Sequence, residues 1–139
     1  MKKLLIIMAA FFLALSPALA SDYNYISPEK VKTWIETKKP FTIVDIQVTD
    51  EFKAHRLPNS TATYAYPVKT DAERAQLEDA IRSSMEKDTP VVVVCPRGGG
   101  GAKRCYDYMK AKNVPEDRLL ILKGGMGGWP YKDLVETGQ

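Results

Sequence analysis

Residues 91–104 read VVVVCPRGGGGAKR, and this stretch decides the fold class. Four consecutive valines predict a strand that is covered on both faces, as in the middle of a parallel sheet packed by helices. Helical and strand-like segments alternate along the rest of the chain, which is typical of an α/β domain. Cys95 follows the valine strand directly, and a glycine-rich loop then leads into a basic helical segment. The sequence therefore predicts a cysteine in a loop at the end of a central strand.

The other predicted elements come from capping residues and apolar periodicity. Ser27 and Pro28 suit the N-cap and the first position of a helix, which should end before Pro40 and bury Val31, Trp34 and Ile35. Strands are predicted over residues 41–46, 61–66 and 119–122, a helical turn over 49–54, and helices over 71–85, 102–112 and after the GGMGGW motif. In the helix over residues 71–85, the positions predicted to face inward are Ala75, Ala80, Ile81 and Met85.

Cys95 is the candidate catalytic residue. In α/β sheets the chemistry gathers in loops beyond the carboxyl ends of the strands, where this cysteine lies. Glycines can adopt positive φ angles, so the four glycines can turn their N–H groups toward the sulfur, and the helix that follows adds its unpaired N–H groups and positive dipole end. Both effects favour a thiolate nucleophile. The candidate binding residues are Arg97, Gly98, Gly99, Gly100, Gly101 and Ala102.

Two other readings of this loop can be weighed. Cys95 could be a small core residue beside a flexible turn, since buried free cysteines are common, but one glycine would then suffice. A nucleotide-binding loop of the form GxxxxGK[ST] does not fit, because Ala102 precedes Lys103 and Arg104 follows it. The second glycine cluster, GGMGG at residues 124–128, carries no nucleophile and is predicted to be a tight turn packed against a neighbouring loop.

The chain opens with MKKLLIIMAAFFLALSPALA, which has the three parts of a secretory signal. We expect residues 1–20 to be removed after Ala20 and the protein to be periplasmic or secreted; the apolar run is short for a membrane anchor, so no stable membrane association should remain. Without Lys2 and Lys3, 18 basic residues stand against 17 acidic ones, which gives no reason to expect nucleic-acid binding. The remaining length suits one domain.

Cys105 is predicted to be a core thiol. It shares a helical stripe with Ala102, Tyr106 and Met109, which should face the sheet. A disulfide with Cys95, or attack by Cys105 on a sulfur carried there, remains open because the predicted compartment is oxidising. His55 is the only histidine, so we predict no metal and no cofactor. Tyr64 and Tyr66 alternate along a predicted strand and should be packing residues.

Taken together, several motifs resemble a single-domain rhodanese of the exported type over residues 26–136. They are Cys95 after a β-run, the glycine loop into a helix, IVDI with Asp45, then Glu51-Phe52, Leu57-Pro58 and LKGGMGGW near the end. The resemblance implies a five-stranded parallel sheet with helices on both faces. It also implies a sulfurtransferase, whose cysteine takes a sulfane sulfur from a small anionic donor such as thiosulfate or polysulfide. The resulting persulfide then passes the sulfur to cyanide or to a thiol, including a protein thiol.

The basic residues and Asp45 are assigned supporting roles in this reading. Arg97 is the nearest charged side chain and could hold the anionic oxygens of a donor, while Lys103 and Arg104 would add positive field at the mouth of the site. Asp45 corresponds to the family's aspartate and should orient backbone or an arginine.

The chain also departs from the family pattern. Pro96 and the loop glycines stand where many members have an arginine after the cysteine and another near the end of the loop. The loop is one residue longer, and Gln47 replaces the arginine of an Asp-x-Arg motif. Longer loops are associated in this superfamily with phosphatases and arsenate reductases, which use a Cys-x5-Arg pattern to grip the anion. Such an enzyme, or a binding module without turnover, is the alternative to sulfur transfer.

Overall fold

A five-stranded parallel sheet forms the centre of the structure, a computed structural model that describes residues 23–138. The strands lie in the order β1-β5-β4-β2-β3, and every pairing is parallel. Their bounds are β1 Tyr25–Ile26, β2 Thr42–Asp45, β3 Ser60–Ala62, β4 Val91–Val94 and β5 Leu119–Leu122. The predicted α/β class and the five-stranded parallel sheet are confirmed, whereas the predicted signal segment lies outside the described residues.

Five α-helices flank the sheet within residues 23–138. Their bounds are α1 Pro28–Glu36, α2 Thr49–Ala54, α3 Asp71–Ala75, α4 Glu78–Glu86 and α5 Gly100–Ala111, and short 3-10 turns cover Glu116–Arg118, Met126–Gly128 and Lys132–Leu134. The predicted start of α1 is confirmed, because the Ser27 side chain accepts a hydrogen bond from the N–H of Lys30 at 3.2 Å. No helix among the described residues is long and apolar enough to cross a membrane.

The valines of β4 are buried on both sides of the sheet, as predicted. Val91 and Val93 belong to a core cluster that includes residues of α4 and α5. Val92 and Val94 belong to a second cluster, which α1 and the C-terminal segment cover. Because β4 lies third in the strand order, residues that follow it emerge at the middle of the sheet's carboxyl edge. Asp45, at the end of β2, pairs with Val94 and brings its neighbours to the same place.

The helix predicted over residues 71–85 is two helices. A capping box formed by Thr70 and Glu73 starts α3, and a turn at Gln76 and Leu77 separates it from α4. In α4 and the turn before it, Leu77, Ala80, Ile81 and Ser84 follow the i, i+3, i+4, i+7 spacing of a buried face. The prediction was correct for Ala80 and Ile81. It was wrong for Met85, which is 47% exposed and lies one residue beyond this spacing, and for Ala75, which is also exposed.

Two predicted strands are shorter than expected. The strand predicted over residues 41–46 is Thr42–Asp45, and the one predicted over 61–66 is Ser60–Ala62. The second ends early because Tyr64 adopts a left-handed backbone with φ of 56°, which no regular strand contains. Tyr64 and Tyr66 therefore lie in the loop after β3, at the edge of the sheet that also carries Cys95.

Candidate active site

The candidate nucleophile lies at the carboxyl end of the central strand. Cys95 follows β4 directly and is only 2% exposed. Its Sγ accepts a hydrogen bond from the main-chain N–H of Gly98 at 2.8 Å. The structure thus brings one of the predicted glycine amides onto the sulfur, where a donated hydrogen bond stabilises negative charge.

The glycines that follow act in a different way from the one predicted. Only Gly98 has a positive φ, of 73°; Gly99 caps α5, while Gly100 and Gly101 are its first two residues. The helix thus begins two residues before the predicted Ala102, which is fully buried. The first N–H groups of a helix have no partner within it. The amide that bonds the sulfur therefore belongs to a left-handed glycine, Gly98, which immediately precedes the N-cap of α5.

Gly101 is a glycine because an aromatic ring lies against it. A Cβ at this position would lie 2.8 Å from Cδ2 and Cε2 of Tyr66. Real Cβ atoms are not found so close to other atoms, so a side chain at 101 would have to displace the ring. Tyr66 is 39% exposed and thus forms part of the rim beside the first turn of α5.

The second glycine cluster holds the cysteine loop in place. The N–H of Met126 donates to the carbonyl of Cys95 at 2.9 Å, and that of Gly127 donates to the carbonyl of Pro96 at 2.8 Å. A Cβ on Gly125 would lie 2.2 Å from the Cys95 carbonyl oxygen. The prediction of a tight turn packed against a neighbouring loop is confirmed by these contacts.

The three basic residues assigned to the site take separate positions. The Arg97 side chain is exposed, two residues after the cysteine. Lys103 Nζ lies 5.5 Å from the centre of the Tyr23 ring, which packs against Tyr106 of α5. Arg104 donates from Nε to the carbonyl of Pro67 at 2.9 Å and ties α5 to the loop after β3. Within residues 23–138, the Arg97 side chain makes no such hydrogen bond or ring contact.

Asp45 is fully buried and binds the residue two places further along the chain. Its Oδ1 accepts from the N–H of Gln47 at 2.8 Å, and its Oδ2 accepts from Gln47 Nε2 at 3.0 Å. Gln47 Nε2 also donates to the carbonyl of His55 at 3.1 Å. Burial raises the pKa of Asp45 to about 6, against the lowering effect of the Gln47 hydrogen bonds. Asp45 therefore orients backbone, and Gln47 occupies the place that the resemblance assigns to an arginine.

Cys105 lies in the core, as predicted. It is fully buried on α5, together with Ala102, Tyr106 and Met109. Burial raises the pKa of its thiol well above the usual range, with a smaller contribution from nearby Cys95. Both cysteines are free thiols in this structure, so the disulfide considered above is not formed. A neutral, enclosed thiol is a poor nucleophile.

Sequence reasoning did not predict the contacts by which three residues shape the site. Tyr66 covers Gly101, Gln47 holds Asp45, and Gly125 contacts the Cys95 carbonyl. The local signals were the Asp45-x-Gln47 spacing and the glycine cluster at 124–128, which did not reveal these partners. Among residues 23–138 no group of three His, Cys, Asp or Glu side chains is placed to hold a metal ion.

The fold and the site define a class of α/β protein in which a cysteine follows the central strand and accepts a hydrogen bond from an amide in the glycine loop that leads into a helix. The family model of the rhodanese-like domain matches residues 27–131. The chain belongs to the rhodanese-like domain family.

A curated plant protein is similar in sequence to most of this chain. The Arabidopsis thaliana "Protein HIGH ARSENIC CONTENT 1, mitochondrial" is 26% identical over 117 residues, which are 81% of this chain and 65% of the relative's length. The chain therefore spans somewhat less than two thirds of that curated protein.

Two solved structures share the fold. A yeast protein tyrosine phosphatase of the rhodanese family is 14% identical, with a TM-score of 0.64 over 86% of this chain and 96% of its own. The As-Sb reductase from Leishmania major is 16% identical, with a TM-score of 0.66 over 84% of this chain and 86% of its own. At these identities the likeness concerns the fold and leaves the activity open.

Proposed function

We propose that the protein is a sulfurtransferase that carries sulfane sulfur as a persulfide on Cys95. The observation that carries the proposal is the 2.8 Å hydrogen bond from the Gly98 N–H to Sγ, beside the N-terminus of α5. Amides in this position stabilise a thiolate and equally the negative outer sulfur of a persulfide. The residues proposed to line the substrate site are Arg97, Gly98, Gly99, Gly100, Gly101 and Ala102.

The proposed reaction has two displacement steps. The Cys95 thiolate attacks the outer sulfur of thiosulfate, the sulfur–sulfur bond of the donor breaks, and sulfite leaves with the bonding electrons. Cyanide or a thiolate then attacks the outer sulfur of the persulfide. Thiocyanate or a new persulfide departs, and the Cys95 thiolate is restored without a net change in oxidation state of the protein.

Arg97 is the proposed ligand for the charged end of the donor. Its guanidinium is exposed in the cysteine loop and can offer paired hydrogen bonds to the oxygens of a sulfonate-like group. Lys103 and Arg104 contribute less to this role, because their side chains contact Tyr23 and Pro67. Asp45 supports the site at a distance by fixing the backbone after β2 through Gln47.

Oxyanion chemistry, as in a phosphatase or an arsenate reductase, is the second candidate. Six residues separate Cys95 from Ala102, and the helix N-terminus suits any anion. However, position 101, where those enzymes place an arginine, is a glycine pressed against the Tyr66 ring. An arginine clamp is the main charge stabiliser in such reactions, so its absence favours sulfur transfer.

Intact mass measurement after incubation with thiosulfate or polysulfide tests the proposal. We expect the wild-type protein to gain the mass of one sulfur atom, the Cys95→Ser variant to gain none, and the Cys105→Ala variant to gain it as the wild type does. Hydrolysis of p-nitrophenyl phosphate or reduction of arsenate without sulfur uptake would favour the second candidate. No reaction with any of these reagents would identify a binding module without turnover.

We further propose that the protein is exported after removal of residues 1–20. The proposal is supported by the sequence pattern alone, with two lysines, an apolar run and Ala18-Leu19-Ala20 before the expected cleavage site. Expression of the full chain in a bacterium should yield a periplasmic form that begins at Ser21, as read by intact mass. Recovery of the uncleaved chain in the cytoplasm would contradict the proposal.

A further inference from the structure

A groove of about 480 Å³ lies at the edge of the sheet opposite Cys95. Its walls include Trp34 and Ile35 at the end of α1, Phe41 just before β2, and Pro58 just before β3. All of these flank the amino ends of the strands, whereas the cysteine loop follows a carboxyl end. The volume falls in the range of small-molecule sites, about 300–1,000 Å³. The groove is thus large enough for a ligand and separate from the proposed active site.

The apolar part of this amino-edge groove is aromatic. The rings of Trp34 and Phe41 meet edge to face, with centroids 5.3 Å apart and an angle of 62° between their planes. Neither residue is fully buried, so each presents part of its ring to the groove. Partly exposed ring surfaces of this kind favour a flat or short apolar group as the body of a ligand.

The rim of the amino-edge groove is basic. Lys38 and Lys39 line it, and no carboxylate residue does so among the described residues. Lys39 Nζ lies 5.2 Å and Lys30 Nζ 5.8 Å from the centre of the Trp34 ring. Glu36, the carboxylate in the last turn of α1, is already paired with Lys32 at 2.6 Å. The charge at this rim therefore complements an anion.

The backbone of Lys38 adopts a left-handed conformation that is unfavourable for a residue other than glycine. Its φ is 55°, and its N–H donates to the Ile35 carbonyl at 3.2 Å, while the N–H of Lys39 donates to the Trp34 carbonyl at 3.0 Å. This is a helix end at which glycine is the favoured residue. A lysine here costs on the order of 1 kcal/mol, and such outliers concentrate at functional positions. Lysines at a helix C-terminus also interact favourably with the helix dipole, and a role of this kind alone would affect the stability of the protein but not ligand binding.

We propose that the amino-edge groove binds a small organic monoanion with an aromatic or short alkyl body, such as an aromatic carboxylate or sulfonate. The apolar body would lie against Trp34 and Phe41, and the charged group would face Lys38 and Lys39. This site is independent of the chemistry proposed at Cys95.

A pair of matched probes tests the proposal on the full-length protein. 8-Anilinonaphthalene-1-sulfonate carries the charge, and N-phenyl-1-naphthylamine has the same rings without it. Trp34 and Trp129 are the only tryptophans in the chain, so the Trp129→Phe variant leaves Trp34 as the sole energy donor. We expect saturable energy transfer from Trp34 to the sulfonate, with the uncharged probe bound about fivefold or more weakly.

Charge variants complete the test. The double variant Lys38→Gln, Lys39→Gln should weaken binding of the sulfonate about fivefold and leave the uncharged probe unaffected. Lys132→Gln, at a smaller groove beside Trp129, is the matched control and should change neither. If Trp129→Phe does not fold, the Trp34→Phe variant takes its place. Loss of energy transfer to the sulfonate in that variant would likewise show that the probe binds beside Trp34. Equal affinity for both probes, or a double variant that is less stable yet binds the sulfonate normally, would overturn the proposal.

Discussion

At the scale of single residues, Gly125 constrains the cysteine loop most tightly. Its φ is 61°, and a Cβ there would lie 2.2 Å from the Cys95 carbonyl oxygen and 2.7 Å from the nitrogens of Arg97 and Gly98. All of these neighbours are backbone atoms, which cannot swing aside as a flexible side chain would. The position therefore accepts glycine only.

We expect Gly125→Ala to cost about 3–5 kcal/mol of unfolding free energy and to abolish sulfur loading of Cys95, because the added methyl group must push the two loops apart. Urea denaturation and intact mass after thiosulfate treatment measure the two effects. Gly128→Ala is the control, since nothing lies within 4 Å of the Cβ it would add. It should change stability by no more than about 0.5 kcal/mol. Similar results for the two variants would show that the contact is unimportant.

Asp45 makes the stability of the protein depend on pH. Burial raises its pKa from 3.8 to about 6, so the folded state holds this proton more tightly than the unfolded chain does. The free energy of unfolding contributed by this group is therefore greatest below pH 4, falls as the pH rises from about 4 to about 6, and is level above that. The full change is about 3 kcal/mol.

The Asp45→Asn variant should lack this part of the pH dependence. We expect the wild type to lose stability relative to the variant between pH 4 and pH 7, because an amide cannot release the proton. Urea denaturation of both proteins across this range gives the difference directly, and the other titrating groups cancel between them. A difference that stays constant with pH would contradict the assignment.

At the scale of elements, Leu77 fixes the buried face of α4. It is fully buried in the turn before the helix, and Ala80, Ile81 and Ser84 continue the same face at i+3, i+4 and i+7. Met85, one residue beyond Ser84, lies outside this spacing and was wrongly predicted to face inward.

Leu77→Ala should therefore destabilise the protein by about 2–5 kcal/mol, through lost burial and the cavity left behind. Met85→Ala should change stability by less than about 1 kcal/mol, since Met85 is 47% exposed. Thermal or urea unfolding of the two variants makes the comparison. Equal losses would show that Met85 packs in the core, as the apolar periodicity predicted.

The elements that the sequence predicted well are those with strong local signals. Four valines predicted β4, and the stripe of Ala102, Cys105, Tyr106 and Met109 predicted the buried face of α5. By contrast, β1 has only two residues, too few for a periodic pattern, and was expected solely from the family resemblance. The start of α5 was placed too late because glycines at Gly100 and Gly101 disfavour a helix interior but are tolerated in a first turn.

At the scale of the whole molecule, one arginine joins parts of the chain at the amino edge of the sheet. Arg118, just before β5, donates from Nη1 to the carbonyls of Ser84, Lys87 and Thr89 at 3.2, 2.7 and 3.0 Å. These carbonyls belong to the end of α4 and the connection to β4. The Arg118 side chain is only 14% exposed, so its hydrogen bonds to these carbonyls replace the bonds that water would otherwise make, and they hold α4 beside β5.

Arg118→Met should keep the apolar stem and lose the donors, leaving carbonyls unsatisfied at a cost of about 2–4 kcal/mol. Arg82→Met is the matched control: that arginine is 70% exposed and pairs with Asp79 on the surface, so its loss should cost less than about 1 kcal/mol. Urea denaturation compares the two. A small effect for Arg118 would mean that water replaces its hydrogen bonds without penalty.

The candidate site was predictable only where it is local in sequence. Cys95 and its glycine loop lie in one stretch, and the strand-to-helix pattern placed them correctly. The contacts of Tyr66 with position 101 and of Gly125 with Cys95 join segments thirty or more residues apart, and a single sequence does not say which residues meet. Glycines at 101 and 125 indicated close approach without saying to what.

The hydrogen bonds from residues 126 and 127 to the carbonyls of Cys95 and Pro96 also limit how this site can be engineered. A graft of residues 95–101 onto another parallel sheet would leave both carbonyls without donors. The smallest portable unit is a pair of adjacent strands, β4 and β5, together with both glycine loops and α5 between them. Recombination between distant homologues with a crossover inside α5 would separate the two loops and should yield few active chimeras.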